Sequence, residues 1–285
     1  MSGGVEPRWQ RLLTPVGIAF VVVVICLPGL WVMLTAFRPN VEIMSRPPVW
    51  IPSLTLDNFR AMFGWLPEVQ QGLPVGHYIR NSLIASVTST AIAVLVGTMG
   101  GYAFARYQFR GKAALFLAFM LSRTIPGVAL SLPIFIIWSR LGLIDTSAGL
   151  ILVYLALNIP FTVWLTDGFF RQIPAELSQA ALIDGATRWQ AFWHVEFPLA
   201  GAGLASAAIF AFLTSWNEFA LASQLTRSVA SKTLTVGLMD YTSQFTIDWV
   251  GMCAMALLII VPAFVLTFAV QRHLIEGLTF GGVKG

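Results

Sequence analysis

The chain has 285 residues, of which 57% are hydrophobic and 11% charged. A soluble domain carries about a quarter charged residues, so a water-soluble globule is excluded. The net charge of +4 is scattered, which argues against a nucleic-acid surface, and Cys26 and Cys253 lie in apolar runs without CxxC or metal-ligand spacing.

Arg8 and Arg11 precede an uncharged run over 14–37. It is too long for a signal-peptide core and no small-residue cleavage site follows, so it reads as an uncleaved first span. A polar segment, 38–80, leads to a second uncharged run over 81–105, closed by Arg106, Arg110 and Lys112. Gly97, Gly100 and Gly101 within that run predict close helix contact. A third run, 113–139, contains one charge, Arg123, about ten residues in. A charge at that depth usually faces a bundle interior or a watery cavity; the alternative is an arginine snorkelling to the interface.

The fourth run, 146–166, is interrupted by Asn158-Ile159-Pro160. This predicts a kink, with Asn158 satisfying the carbonyls that proline frees. A fifth run, 199–225, carries Trp216, Asn217 and Glu218, residue types that suit either sugar recognition or an interfacial belt. The sixth run is 249–271. Six transmembrane helices place both termini on one side. Counting Lys and Arg gives nine on the N-terminal side against seven opposite, a weak cytoplasmic preference.

Between the fourth and fifth runs lies the polar stretch 173–198. Pro174 suits a first helical position, Glu176 meets the positive end of the helix dipole, and Asp184-Gly185 reads as stop and turn. Leu177, Ala180, Ala181 and Asp184 are spaced to share one helix side. Such a helix either lies on the membrane interface or docks a separate protein.

Gln179-Ala180-Ala181, three residues, Gly185, nine residues and Val195-Glu196-Phe197-Pro198 resemble the EAA loop of bacterial ABC-importer permeases. Gln179 stands where that family has Glu, and Val195 and Phe197 are apolar substitutes at the end of the motif. Three further stretches resemble the carbohydrate-uptake branch, the group of the small maltose-permease subunit. They are Tyr102–Arg106 with Phe109-Arg110-Gly111, then Trp216-Asn217-Glu218-Phe219, and the tail Gly281-Gly282-Val283-Lys284-Gly285.

The resemblance implies an all-α inner-membrane protein with six transmembrane helices and a cytoplasmic coupling helix between spans four and five. The implied permease domain is 14–272, flanked by a cytoplasmic N-terminus, 1–13, and a cytoplasmic tail, 273–285. The resemblance further implies import of a sugar, polyol or glycoside, with Glu176, Gln179, Ala180, Ala181, Asp184 and Gly185 as the residues that would couple to an ATPase. Arg123, Asn158, Trp216, Asn217 and Glu218 are candidates for the translocation pathway, and Gly281, Gly282 and Lys284 for a tail contact with the ATPase. The implied partners are a second permease, read as a paralogue, two ATPase subunits carrying ATP and Mg, an extracytoplasmic solute-binding protein and membrane lipid. This chain itself binds no metal or cofactor.

The residues supply no catalytic set: no GxxxxGK[ST] phosphate loop, no HExxH and no ordered Ser/His/Asp. A membrane enzyme therefore has no nucleophile or metal to use. The remaining rival is an ion-coupled secondary transporter, which needs internal repeats and intramembrane carboxylates. No convincing repeat and few such carboxylates are present.

Overall fold

The computed structural model describes residues 8–66, 72–243 and 246–279, with side chains over 14–66, 72–243 and 246–269. Among them the only strand-like pairing is one isolated antiparallel bridge, Thr242 with Ile247. The helices that position the site and its surroundings are α1 (Arg8–Ala36), α2 (Val75–Arg106), α3 (Lys112–Ser122), α4 (Gly127–Arg140) and α5 (Ser147–Gln172). They continue with α6 (Ala175–Ile183), α7 (Gly201–Trp216), α8 (Ala220–Leu225) and α9 (Trp249–Thr279). Among the described residues four helices are long and apolar enough to cross a membrane, and up to six spans result if each of two bent pairs is one crossing.

The chain divides into two units, 1–73 with 238–258, and 74–237 with 259–285. In the first, the side chains of α1 are apolar and, apart from the half-buried Val32, exposed from Val16 to Leu34, as expected for a face against lipid or another chain. The end of α1 is capped by Asn58, whose amide donates to the Ala36 and Arg38 carbonyls at 2.8 and 2.7 Å. These carbonyls have no partner inside the helix, so the side chain supplies what the helix end lacks.

The second unit is organised on α2 and α5. A Cβ at Gly97 would fall inside the Thr162 side chain, and one at Gly101 would sit on Thr166 Oγ1. The expected close contact is present, and it is specific to these two helices. Leu150, Val153 and Tyr154 of α5 then build a core with Ala85 of α2 and Leu221, Ala222 and Leu225 of α8.

Two expectations need correction. The run 113–139 is not one straight helix with a charge inside it. It is α3 and α4, bent by 98° around residues 123–126. Pro126 has extended geometry, φ −60° and ψ 131°, and starts α4 rather than continuing α3, because a proline disfavours helical backbone in the residue before it. Asn158 does not patch its own helix at Pro160. Its amide crosses to α7, donating to Ala211 O at 3.2 Å and Ser215 Oγ at 2.8 Å. The helix that carries the second uncharged run starts upstream of it, at Val75, and takes in Arg80. The polar residues Tyr78, Asn81 and Ser82 form its buried first turns.

Candidate coupling helix and membrane cavity

Residues 173–200 fold as a compact hairpin of short helices. Pro174 sits one position before α6, at its N-cap. The helix closes with the Ala186 N–H bonded to Ala181 O at 2.9 Å and the Gly185 N–H to Leu182 O at 3.2 Å. That double closure requires a left-handed residue, and Gly185 supplies it with φ +90°. Thr187 and Gln190 then form a reciprocal capping box that starts the next turn. Glu176, Gln179, Ala180, Asp184 and Gly185 are exposed, while Ala181 is half-buried. Ile183, which no sequence pattern singled out, is 85% exposed beside them.

Beneath α6 lies an ion pair that sequence reasoning missed. Glu196 is fully buried, and Arg106 at the end of α2 holds it. Arg106 Nε donates to both carboxylate oxygens, at 3.0 and 2.9 Å, and Nη2 lies 2.8 Å from Oε2. Nη2 also donates to Ile173 O at 2.9 Å, and the Ser178 hydroxyl donates to Glu196 Oε1. Aromatic packing encloses the pair: Phe170 and Phe192 are buried, and the Tyr102 and Phe192 rings are 4.7 Å apart. A second pair, Arg171 with Asp167 at 2.9 Å, sits nearby, and Arg171 donates to Phe104 O at 3.3 Å. An exposed pair contributes about 0–1 kcal/mol. Removing one partner of a buried pair costs about 3–5 kcal/mol, because the other charge is left unpaired. The one available signal was an acid inside the aromatic stretch 191–198, but no spacing rule ties it to Arg106.

Of the pathway candidates, the structure brings two together. Arg123 stands at the α3–α4 corner, donating to Leu157 O at 3.0 Å with its guanidinium 4.7 Å from the Phe161 ring centroid. It shares a cavity of about 320 Å³ with Glu218, Thr214, Leu157 and Leu221. Glu218 also caps α8, accepting from the Leu221 and Ala222 N–H groups at 2.8 Å each. The other three lie elsewhere. Asn158 is buried between α5 and α7, and Asn217 is exposed, with its amide turned back to Leu213 O at 3.0 Å. Trp216 is neither a belt nor a stacking platform: it is 3% exposed and its indole N–H donates to Ile259 O at 2.9 Å. The tail residues Gly281, Gly282 and Lys284 lie outside the described residues.

At the opposite end of α2 and α5, Asp145 accepts from the Arg227 and Ser228 N–H groups at 2.9 Å each and from the Ser231 hydroxyl. Burial alone would raise its pKa, but these hydrogen bonds outweigh it and hold the carboxyl well below the usual carboxylate range.

Residues 93–279 match the family described as binding-protein-dependent transport system inner membrane component. The chain is 38% identical over 262 residues to the trehalose transport system permease of Mycobacterium tuberculosis, covering 91% of this chain and 92% of the relative. The chain belongs to that family. It is also 31% identical over 286 residues to the diacetylchitobiose uptake permease DasC of Streptomyces coelicolor, covering 100% and 99% of the two chains. Its fold is similar to a chain of the bacterial ABC transporter that imports alginate, with a TM-score of 0.77 at 19% identity over 94% of this chain and 98% of that one. This permease is thus an inner-membrane component of a binding-protein-dependent ABC importer and a transport subunit. Neither the family nor these relatives support an ion-coupled carrier, and that alternative is dropped.

Proposed function

We propose that this permease passes a glycoside or short oligosaccharide inward across the bacterial membrane, driven by ATP hydrolysis in two partner ATPase subunits. The observation that carries this reading is α6, an exposed nine-residue helix closed at Gly185 and tied to the end of α2. Glu176, Gln179, Ala180, Asp184 and Gly185 form the docking face, Ala181 sets its close approach, and Ile183 adds an apolar contact. ATP and Mg belong to the partner chains.

Each bent helix pair counts as one crossing in this reading, giving six spans over 14–272 with both termini cytoplasmic. The tail, through Gly281, Gly282 and Lys284, reaches the ATPase. A second, paralogous permease completes the pore, and an extracytoplasmic solute-binding protein delivers substrate. The saccharide class is supported by relatives named for trehalose and diacetylchitobiose. It also fits a cavity in which Arg123, Thr214 and Glu218 offer donors and acceptors to hydroxyl groups. Coupling is a linkage: ATP moves the permease only because it binds one conformation of the assembly more tightly than the other.

Purification of the tagged chain from native membrane in mild detergent tests the assembly. Recovery of a second permease, an ATPase and a solute-binding protein, with sugar-stimulated ATP turnover in proteoliposomes, is the expected result. A chain that purifies without an ATPase under ATP-trapping conditions, or turnover indifferent to every saccharide, would overturn it.

A further inference from the structure

We infer that Arg106 and Glu196 form the mechanical link through which movement of α6 enters the membrane bundle. This rests on the proposed ATPase docking at α6. One guanidinium and one carboxylate bind four separate points: the end of α2 at Arg106, the entry to α6 at Ile173, its middle at Ser178, and the chain beyond it at Glu196. No other ion pair among the described residues joins the coupling segment to a spanning helix.

The geometry separates this role from simple stabilisation. The fork donates to both carboxylate oxygens and so fixes Glu196 in distance and orientation against the end of α2, while Ile173 O at the entry to α6 and the Ser178 hydroxyl at its middle hold the helix to the same pair at two points. The carboxylate is fully buried, so water cannot replace the lost partner during a displacement. Buried pairs can often be exchanged for apolar residues of similar volume without loss of fold, so stability alone does not call for charges here. At its far end the link reaches α2, which Gly97 and Gly101 set directly against α5. A pull on α6 therefore moves two spanning helices as one body.

The test uses the assembled transporter in proteoliposomes and reads bound ATPase, ATP turnover and sugar transported per ATP. The variants are E196Q, the apolar double R106M/E196L and S178A. All should retain ATPase at wild-type stoichiometry. Transport per ATP should fall on the order of tenfold in E196Q and in the double variant, the size of an ordinary coupling free energy. S178A, which removes one donor from Glu196, should fall by about threefold on the same scale. Wild-type transport per ATP in the double variant overturns the inference. Loss of ATPase in step with loss of transport does so too, since the pair would then only shape the dock. If E196Q or the double variant fails to assemble, S178A decides: an unchanged ratio overturns the link. A wild-type assembly that lacks ATPase, or takes up sugar without ATP, overturns the proposed function itself and is read before any variant is made.

Discussion

The two ends of the α2–α5 pair are held by different chemistry. At one end Asp145 accepts from two backbone N–H groups and a hydroxyl, fastening the 226–234 loop directly to the α4–α5 connection. At the other, Arg106 and Glu196 join side chain to side chain across 90 residues of sequence. A carboxylate bound to backbone amides fixes the backbone itself, so the Asp145 end behaves as a static clamp. A pair of long side chains fixes a distance and an orientation between two separate segments. The first suits an anchor, and the second suits a joint beneath the proposed docking face of α6.

Removing one charge from the joint should have the largest effect. Glu196→Ala leaves the part-buried Arg106 with the Ile173 carbonyl but no counter-charge, and should cost about 3–5 kcal/mol, seen as a large drop in thermal unfolding midpoint in detergent. Gly185→Val comes next. A β-branched residue at φ +90° strains the turn by about 2 kcal/mol, and ATPase retention should fall while the spans stay folded. Wild-type transport in that variant would contradict a docking role for the turn.

Asp145→Asn tests the anchor and should cost about 1 kcal/mol, because an amide accepts less strongly than a carboxylate. The pH dependence separates the two ends further. A depressed carboxyl pKa contributes stability that is complete above about pH 4 and lost as pH falls towards the folded-state value. The wild-type advantage over Asp145→Asn should therefore be constant near neutrality and shrink in acid. An advantage that grew in acid would contradict the clamp. Gln179→Glu is the smallest change. The site is exposed, so stability should move by less than about 0.5 kcal/mol, and transport should persist if the partner groove accepts the acid.

The helices were largely legible in the sequence because uncharged runs of spanning length leave few alternatives. The α6 stop was legible too, since Asp184-Gly185 has few uses other than ending a helix. The corner at 123–126 was not. Pro15, Pro28, Pro133, Pro160 and Pro262 all lie inside helices, so a proline in an apolar run did not by itself mark Pro126 as a break. The candidate site divided in the same way. The short α6 helix and its stop followed from local residues and its coupling residues from the family resemblance, but the Arg106–Glu196 pair depends on the fold bringing distant segments together. Trp216 and Asn158 misled because a polar atom in an apolar run can face a pathway or a neighbouring helix, and here both face neighbours.

The Arg123 corner bears on how the chain is made. Its hydrogen-bond acceptor, Leu157 O, lies 34 residues downstream, and the Phe161 ring follows later still. As the polypeptide leaves the ribosome, the arginine exists before either group that receives it. Until α5 is synthesised, its charge belongs in water or among lipid headgroups, where it is cheap to keep. Final packing of the α3–α4 corner therefore waits on a helix translated after it, and release of the nascent chain before residue 157 leaves that corner unfinished.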